Sequence, residues 1–241
     1  MTVAVCSRSF SANQQLRAEL LAQFPQSRFN DTGKSLEGQE LVEFLRGSEK
    51  AIIALETIND QVLAELPELK VIGKYGVGLD KLDFTALERR GVKVGWTAGV
   101  NAQSVAELAL AMSLNIVRNI PESRDLAKSG GWKQITGRQL SSLKVGVLGC
   151  GHVGKKLVKL LSAFGCEILV HDLIPMPEFL NQYNARPVNF DSLFRESDLV
   201  SIHLPKNRLT QNLIDAKVLR KMPVGSYLVN TARGGLVDEV E

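Results

Sequence analysis

Val145-Gly146-Val147-Leu148-Gly149-Cys150-Gly151-His152-Val153-Gly154 is the stretch that decides how this chain folds. An apolar run leads directly into G-x-G-x-x-G. Val153, Leu157, Leu160, Leu161 and Phe164 then recur at helical spacing, and Gly165 stops the helix. A second apolar run, 167–171, ends at Asp172. Glycines alone would be a weak signal, but strand, glycine turn, helix, strand and acid in this order predict a dinucleotide-binding βαβ unit. Gly149 permits the tight turn, Gly151 lets a pyrophosphate approach the backbone, and Gly154 lets the helix pack closely on the strand. The helix N-terminus offers unpaired N–H groups and the positive end of its dipole to the phosphates. Asp172 can accept hydrogen bonds from the adenosine ribose and repels a 2′-phosphate, which favours NAD over NADP.

The same rhythm extends in both directions. Short β-branched runs alternate with longer amphipathic stretches, which predicts an α/β protein with parallel sheets. Before the glycine turn, strands are expected near 3–6, 28–29, 51–54, 70–72 and 92–94, with helices near 12–22, 38–46, 60–65 and 84–90. Gly91 suits the position after the last of these. A long helix follows near 101–119, with Val105, Leu108, Ala109, Met112 and Ile116 on one stripe. Asn101 is its expected cap, with Ser104-x-x-Glu107 as an alternative capping box, and Pro121 is expected to end or kink it. The domain boundary is placed at the start of this helix, giving lobes 1–100 and 101–241. Trp132, in the polar stretch beyond it, either docks on another surface or anchors on its own domain. In the second lobe, four strands are expected, at 144–148, 167–171, 199–203 and 227–230, with helices near 152–164, 191–196 and 215–221.

Composition narrows the function. The 241 residues are 44% hydrophobic and 23% charged, with a net charge of +3 and no long basic run, which argues against nucleic-acid binding. No apolar stretch approaches the roughly 20 residues of a membrane helix, and no signal peptide opens the chain. Cys6, Cys150 and Cys166 fit neither a disulfide framework nor a zinc site. No metal is expected, and buried thiols in the reducing cytoplasm are the simplest reading.

Asn230-Thr231-Ala232-Arg233-Gly234-Gly235-Leu236-Val237-Asp238-Glu239 resembles the signature of the D-2-hydroxyacid dehydrogenases. Lys74-Tyr75-Gly76-Val77-Gly78-Leu79-Asp80, Asn101-x-x-Ser104-Val105-Ala106-Glu107 and His203-Leu204-Pro205 agree with that family at the right places. The resemblance, to a family that includes the 3-phosphoglycerate dehydrogenases, covers the whole chain, and the Gly-Lys-Tyr-Gly-Val-Gly-Leu-Asp string at 73–80 is similar to theirs. It implies a flavodoxin-like substrate lobe and a Rossmann lobe that binds NAD, with hydride passing between nicotinamide and C2 of a small 2-hydroxy or 2-keto acid. By the same resemblance Arg233 is catalytic, holding the substrate carboxylate and carbonyl oxygen, a task suited to a bidentate, permanently charged guanidinium. The turn around Gly76, Val77 and Gly78, with Tyr75, offers backbone N–H groups to the carboxylate, and Val77 also borders the cofactor. Lys74 either adds charge there or faces solvent. His152 and Val153 cover the pyrophosphate, while His203, Leu204 and Pro205 pass the adenosine. Thr231 and Ala232 lie by the nicotinamide together with Arg233. A homodimer formed through the cofactor lobe, with the helix near 101–119 at the contact, completes the implied picture.

The chain departs from the family in two respects. The family's proton-transferring histidine and its partner glutamate lie downstream of the position of Arg233, where only eight residues follow here. A truncated or fragmentary product of a longer protein is therefore expected, with the sheet's last strands absent, 227–230 left as an apolar edge, and weak or absent activity. Asp238, Glu239 and Glu241 are expected to begin the next helix. The missing residues keep a second reading open, a non-enzymatic NAD-binding module like the family's corepressor relatives. The loop after the third strand, Ala54-Leu55-Glu56-Thr57, also lacks the arginine common in phosphoglycerate dehydrogenases, so the acid stays unassigned.

Overall fold

The local rules that build the elements can be read off the caps. Ser7, Asn13, Asn59 and Asp83 each accept a hydrogen bond from the backbone N–H three residues on, and each opens a helix. In the computed structural model, which describes residues 2–240, the chain divides into two units, Met1–Val100 and Asn101–Glu241.

The first unit runs β1 (Val3–Val5), α1 (Arg8–Ala12), α2 (Gln14–Gln23), β2 (Arg28–Phe29), α3 (Gly38–Leu45), β3 (Lys50–Ile53), α4 (Asp60–Ala64), β4 (Val71–Lys74), α5 (Phe84–Arg89) and β5 (Lys93–Gly95). Its strands form one parallel sheet in the order β2-β1-β3-β4-β5, the flavodoxin-like arrangement. One helix had been expected near 12–22. It forms as α2, capped by Asn13 through Leu16, and the short α1 before it was not expected. Gly91 takes φ +69° after α5, as its composition demands. Leu41, Leu45, Ile53, Leu63 and Ile72 fill one side of the sheet, and Val3, Val5 and Phe10 the other.

The second unit runs α6 (Ala102–Val117), α7 (Ile120–Lys128), a 3₁₀ turn (Leu140–Ser142), β6 (Lys144–Leu148), α8 (His152–Ala163), β7 (Glu167–His171), α9 (Pro177–Gln182), β8 (Ala185–Pro187), α10 (Phe190–Glu196), β9 (Leu199–Ile202), α11 (Ala216–Leu219) and β10 (Tyr227–Asn230). Its parallel sheet has the order β10-β9-β6-β7-β8. Counted along the unit, that is the Rossmann order 3-2-1-4-5 read from the opposite edge. The sheet has five strands, not the expected four. The missed β8 is a three-residue edge strand ending in Pro187, which pairs with β7 and shows no alternation to detect.

Three further expectations need correction. The buried face of α6 is Ala102, Ala106, Ala109, Ser113 and Val117, whereas Leu108 and Met112 are exposed. Small residues win the inner face because they let α6 approach α8, against which it packs. Pro121 does not end a helix. Asn119 takes φ +51° and breaks the segment, and Pro121 sits in the first turn of α7, where a missing N–H costs nothing. Phe164 lies at the C-cap of α8 and is exposed, so the helix is buried through Leu157, Val158 and Leu161 instead.

The acids after Arg233 start no helix among the described residues. Val237 makes a parallel bridge with Ile214, and Asp238 N–H donates to Ile214 O at 3.0 Å. Glu241 lies outside the described residues.

Candidate functional site

All five strands of the second sheet are parallel, so the loops after β6, β7, β9 and β10 emerge along one edge. The chain order reverses between β6 and β9, and ligands of open α/β sheets collect at such a switch point. The glycine turn sits there, and its geometry assigns each glycine a task. Gly149 has φ +88°, and a Cβ on it would meet His203 O at 2.9 Å. The turn is thereby pressed against the loop that carries His203-Leu204-Pro205. A Cβ on Gly154 would lie 2.2 Å from Gly149 O, so no side chain fits where α8 crosses the turn. A Cβ on Gly151 would meet nothing within 4 Å. That backbone is bare without any packing need, as an approaching phosphate requires. Gly151 is also the N-cap of α8 and supplies no side-chain acceptor, leaving the first amides of the helix, near His152 and Val153, for an anion.

Asp172 follows β7 directly. Its Oδ2 accepts from Cys150 N–H at 2.6 Å and its Oδ1 from Ile174 N–H at 2.8 Å. The carboxylate therefore braces the turn and has lone pairs left for ribose hydroxyls. No cation follows it that would welcome a 2′-phosphate: Leu173 and Ile174 are both exposed and apolar. The neighbouring Cys150 thiol is pushed up to about 11 by burial and then by Asp172, which keeps it protonated at neutral pH.

After β10 the chain folds into a small bracket. Asn230 Oδ1 accepts from Ala232 N–H at 3.0 Å, and Asn230 Nδ2 donates to Arg233 O at 2.8 Å. This fixes the backbone that presents Arg233, whose Nη1 donates to Ala232 O at 2.7 Å. Thr231 Oγ1 and Asn101 Oδ1 are both buried and accept no hydrogen bond among the described residues. Asn101 was expected to cap α6, yet its side chain makes no cap bond, and Glu107 bonds Gln103 rather than closing a box with Ser104. Such orphaned buried acceptors are costly in isolation and common where a ligand supplies the donor. Neither the bracing by Asn230 nor the orphaned Asn101 oxygen was read from the sequence; the spacing Asn-x-x-Arg carried the first signal.

His203 turns inward. Its Nε2 lies 2.9 Å from Ser201 Oγ, and burial pushes its pKa down to about 4, so the ring is neutral at pH 7. Its place at the site is therefore through backbone, not imidazole. His171 is a strand-end residue bonded to Val188 O at 3.0 Å.

In the first unit, the loop after β4 holds Lys74, Tyr75, Gly76, Val77 and Gly78. Gly76 has φ +119°, a conformation that needs glycine, and Trp96 Nε1 donates to Val77 O at 3.2 Å, pinning the turn. Lys74 Nζ donates to Ala54 O, so it is directed onto the β3 loop, not purely to solvent.

The family described as D-isomer specific 2-hydroxyacid dehydrogenase, NAD binding domain, matches residues 110–241. The chain belongs to this family. Its second unit is thus an NAD-binding domain of a D-isomer specific 2-hydroxyacid dehydrogenase, and the turn, Asp172 and the uncapped start of α8 fit that cofactor. The chain is 38% identical over 186 residues to D-3-phosphoglycerate dehydrogenase of Mycobacterium leprae (strain TN), covering 76% of itself and 35% of that protein. It is 34% identical over 212 residues to hydroxypyruvate reductase of Thermotoga maritima, covering 86% of itself and 68% of the reductase. Among solved structures, D-lactate dehydrogenase from Aquifex aeolicus complexed with NAD and lactic acid is similar at a TM-score of 0.84 with 25% identity, over 99% of this chain and 71% of that one. The apo-structure of D-lactate dehydrogenase from Escherichia coli matches at 0.85 with 25% identity, over 100% and 76%. The chain thus spans about a third of the phosphoglycerate dehydrogenase and about two thirds of the reductase. Among the described residues, no helix is long and apolar enough to cross a membrane, and no three metal-ligating side chains come together.

Proposed function

We propose that this chain serves an NAD-dependent oxidoreductase in which hydride passes between C4 of the nicotinamide and C2 of a small 2-hydroxy or 2-keto acid. The observation that carries the reading is the joint fit of the bare Gly151 backbone, the uncapped α8 and the Asp172 brace to a dinucleotide. Bound NAD would supply the hydride chemistry; the chain's own residues bind and orient. Gly149, Gly151, His152, Val153 and Gly154 take the pyrophosphate, Asp172 the adenosine ribose, and His203, Leu204 and Pro205 border the adenosine. Thr231 and Ala232 adjoin the nicotinamide. Arg233 grips the acid's carboxylate with its guanidinium fork. Every relative named above is a dehydrogenase or a reductase, and none supports the non-enzymatic module.

The test is binding followed by turnover. NADH should bind with quenching of tryptophan fluorescence. NADH consumption should then be assayed on the full-length protein with glyoxylate, hydroxypyruvate and phosphohydroxypyruvate. Arg233→Lys keeps the charge but loses the fork, so it should lower acid-dependent turnover by about a hundredfold, the scale of two lost charge-assisted bonds. Failure of the unaltered chain to bind NADH at all would remove the reading.

The same unit presents an apolar surface that a second copy of the chain would cover. Trp132 is 99% exposed, so it is not anchored on its own domain, and Leu108, Met112 and Ile120 on α6 and α7 are also exposed. Isolated exposed apolar residues are ordinary, but a fully bare tryptophan on the unit that also exposes these three supports an interface in this reading. The assembly is a cytoplasmic homodimer in this reading. Trp132→Ala is expected to cost about 2 kcal/mol of association, shifting the dimer dissociation constant about thirtyfold in sedimentation equilibrium while NADH affinity holds. A protein that sediments as a monomer at every concentration would refute the dimer.

A further inference from the structure

We propose that the first unit carries a ligand site of its own, for a small apolar α-amino acid, in the cavity at the carboxyl ends of β1 and β3. In the order β2-β1-β3-β4-β5, the connection from β1 leads to one side of the sheet and that from β3 to the other. The gap between β1 and β3 is therefore this sheet's switch point, where open α/β sheets hold ligands. A cavity of about 380 Å³ lies there, lined by Ser7, Arg8 and Ala12 from the β1 side, Ser35 from the β2 side, and Leu55 and Glu56 from the β3 loop. That volume falls within the range of small-molecule sites.

The charges in the cavity select the ligand. Glu56 is 2% exposed, and its one hydrogen bond among the described residues comes from Ala54 N–H at 2.6 Å. A buried carboxylate normally has a cation or several donors, because burial strips its hydration. Arg8 stands at the rim, exposed, with a single long contact to Gly33 O at 3.4 Å. Neither residue belongs to any ion pair among the described residues, and they do not pair with each other. One wall thus presents an unmatched anion and the other an unmatched cation. An anionic ligand would satisfy Arg8 but crowd Glu56, and an amine would do the reverse. A zwitterion satisfies both, with its ammonium on Glu56 and its carboxylate on Arg8. Ala12 and the half-exposed Leu55 leave an apolar wall for the ligand's side chain.

The cavity is separate from the loop assigned to the substrate carboxylate but adjoins it. Phe10, on the same short helix as Arg8, packs edge-on against Tyr75 with ring centroids 5.3 Å apart. The inference uses no residue of the second unit and stands whether or not the dehydrogenase reading holds.

Titration calorimetry of the full chain without nucleotide tests it, with L-valine, 2-hydroxyisovalerate and isobutylamine as probes. The hydroxy acid replaces the ammonium by a hydroxyl, and the amine lacks the carboxylate. Valine should bind one to one, and each of the other two about tenfold more weakly or worse, as loss of a charge-assisted bond implies. Glu56→Gln keeps an acceptor for Ala54 N–H, and Arg8→Ala alters an exposed side chain, so both should fold with unchanged unfolding midpoints. Each should weaken valine binding by about tenfold. No heat with valine at millimolar concentration overturns the proposal. So does hydroxyisovalerate binding as tightly as valine, or valine affinity indifferent to both substitutions.

Discussion

Gly154→Ala will abolish measurable NADH binding, a loss of more than about a hundredfold, and will lower the thermal midpoint of the chain. The cause is a contact, not a loss of flexibility. The added Cβ would lie 2.2 Å from Gly149 O, a backbone atom that cannot swing aside, and 3.4 Å from a Val147 methyl carbon. Either α8 lifts from β6 or the turn opens, and both displace the amides that the pyrophosphate needs. Overpacking of this kind costs about 1–3 kcal/mol, which for a chain of this size is roughly 3–10 °C. Gly151→Ala provides the counterpart. Its Cβ would meet nothing within 4 Å, and the residue has φ −73°, so stability should not change. NADH binding should nonetheless fall by about tenfold or more, because a methyl group would stand where the diphosphate approaches. One glycine serves packing and the other serves the ligand, and only a phosphate-binding turn separates them in that way. Equal NADH affinity in Gly151→Ala and the unaltered chain, measured by fluorescence titration, would sink the assignment.

How far the sequence could be read follows from how local each signal is. The glycine turn, its two strands and Asp172 are a contiguous pattern, and their strand and helix bounds came out within a residue or two. Parallel sheets in both lobes followed from the alternation, and their flavodoxin-like and Rossmann character from the family resemblance. What failed depended on partners distant in sequence. Leu108 and Met112 satisfy the helical stripe as well as Ala106 and Ala109 do; only the closeness of α8 decides that the small residues turn inward. Three-residue β8 has no period to detect, and its strand identity comes from pairing with β7. Asn101 looked like a cap because of its position, but its oxygen is buried away from the helix amides. Asn230 and Glu56 likewise gain meaning only from the backbone groups they reach.

Asp172→Ala is expected to weaken NADH binding by about a hundredfold and to erase most of the preference for NADH over NADPH. Two effects add. The first is direct: hydrogen bonds from ribose hydroxyls to a carboxylate are each worth about 1.5–3 kcal/mol, and every 1.4 kcal/mol is tenfold in affinity. The second is indirect, since Asp172 Oδ2 also accepts from Cys150 N–H at 2.6 Å and so holds the glycine turn in register with β7. Asp172→Asn separates the two. Its amide oxygen can still take the Cys150 N–H, so the turn stays braced, while the negative charge is gone. Asparagine should therefore recover part of the NADH affinity lost in alanine, yet discriminate against NADPH no better than alanine does. Only the charge repels a 2′-phosphate, and Leu173 and Ile174 beside it contribute none. The decisive comparison is the ratio of NADH to NADPH dissociation constants across the three proteins. If the unaltered chain already binds both nucleotides equally, Asp172 does not hold the adenosine ribose, and the orientation of the dinucleotide on this sheet edge must be reversed.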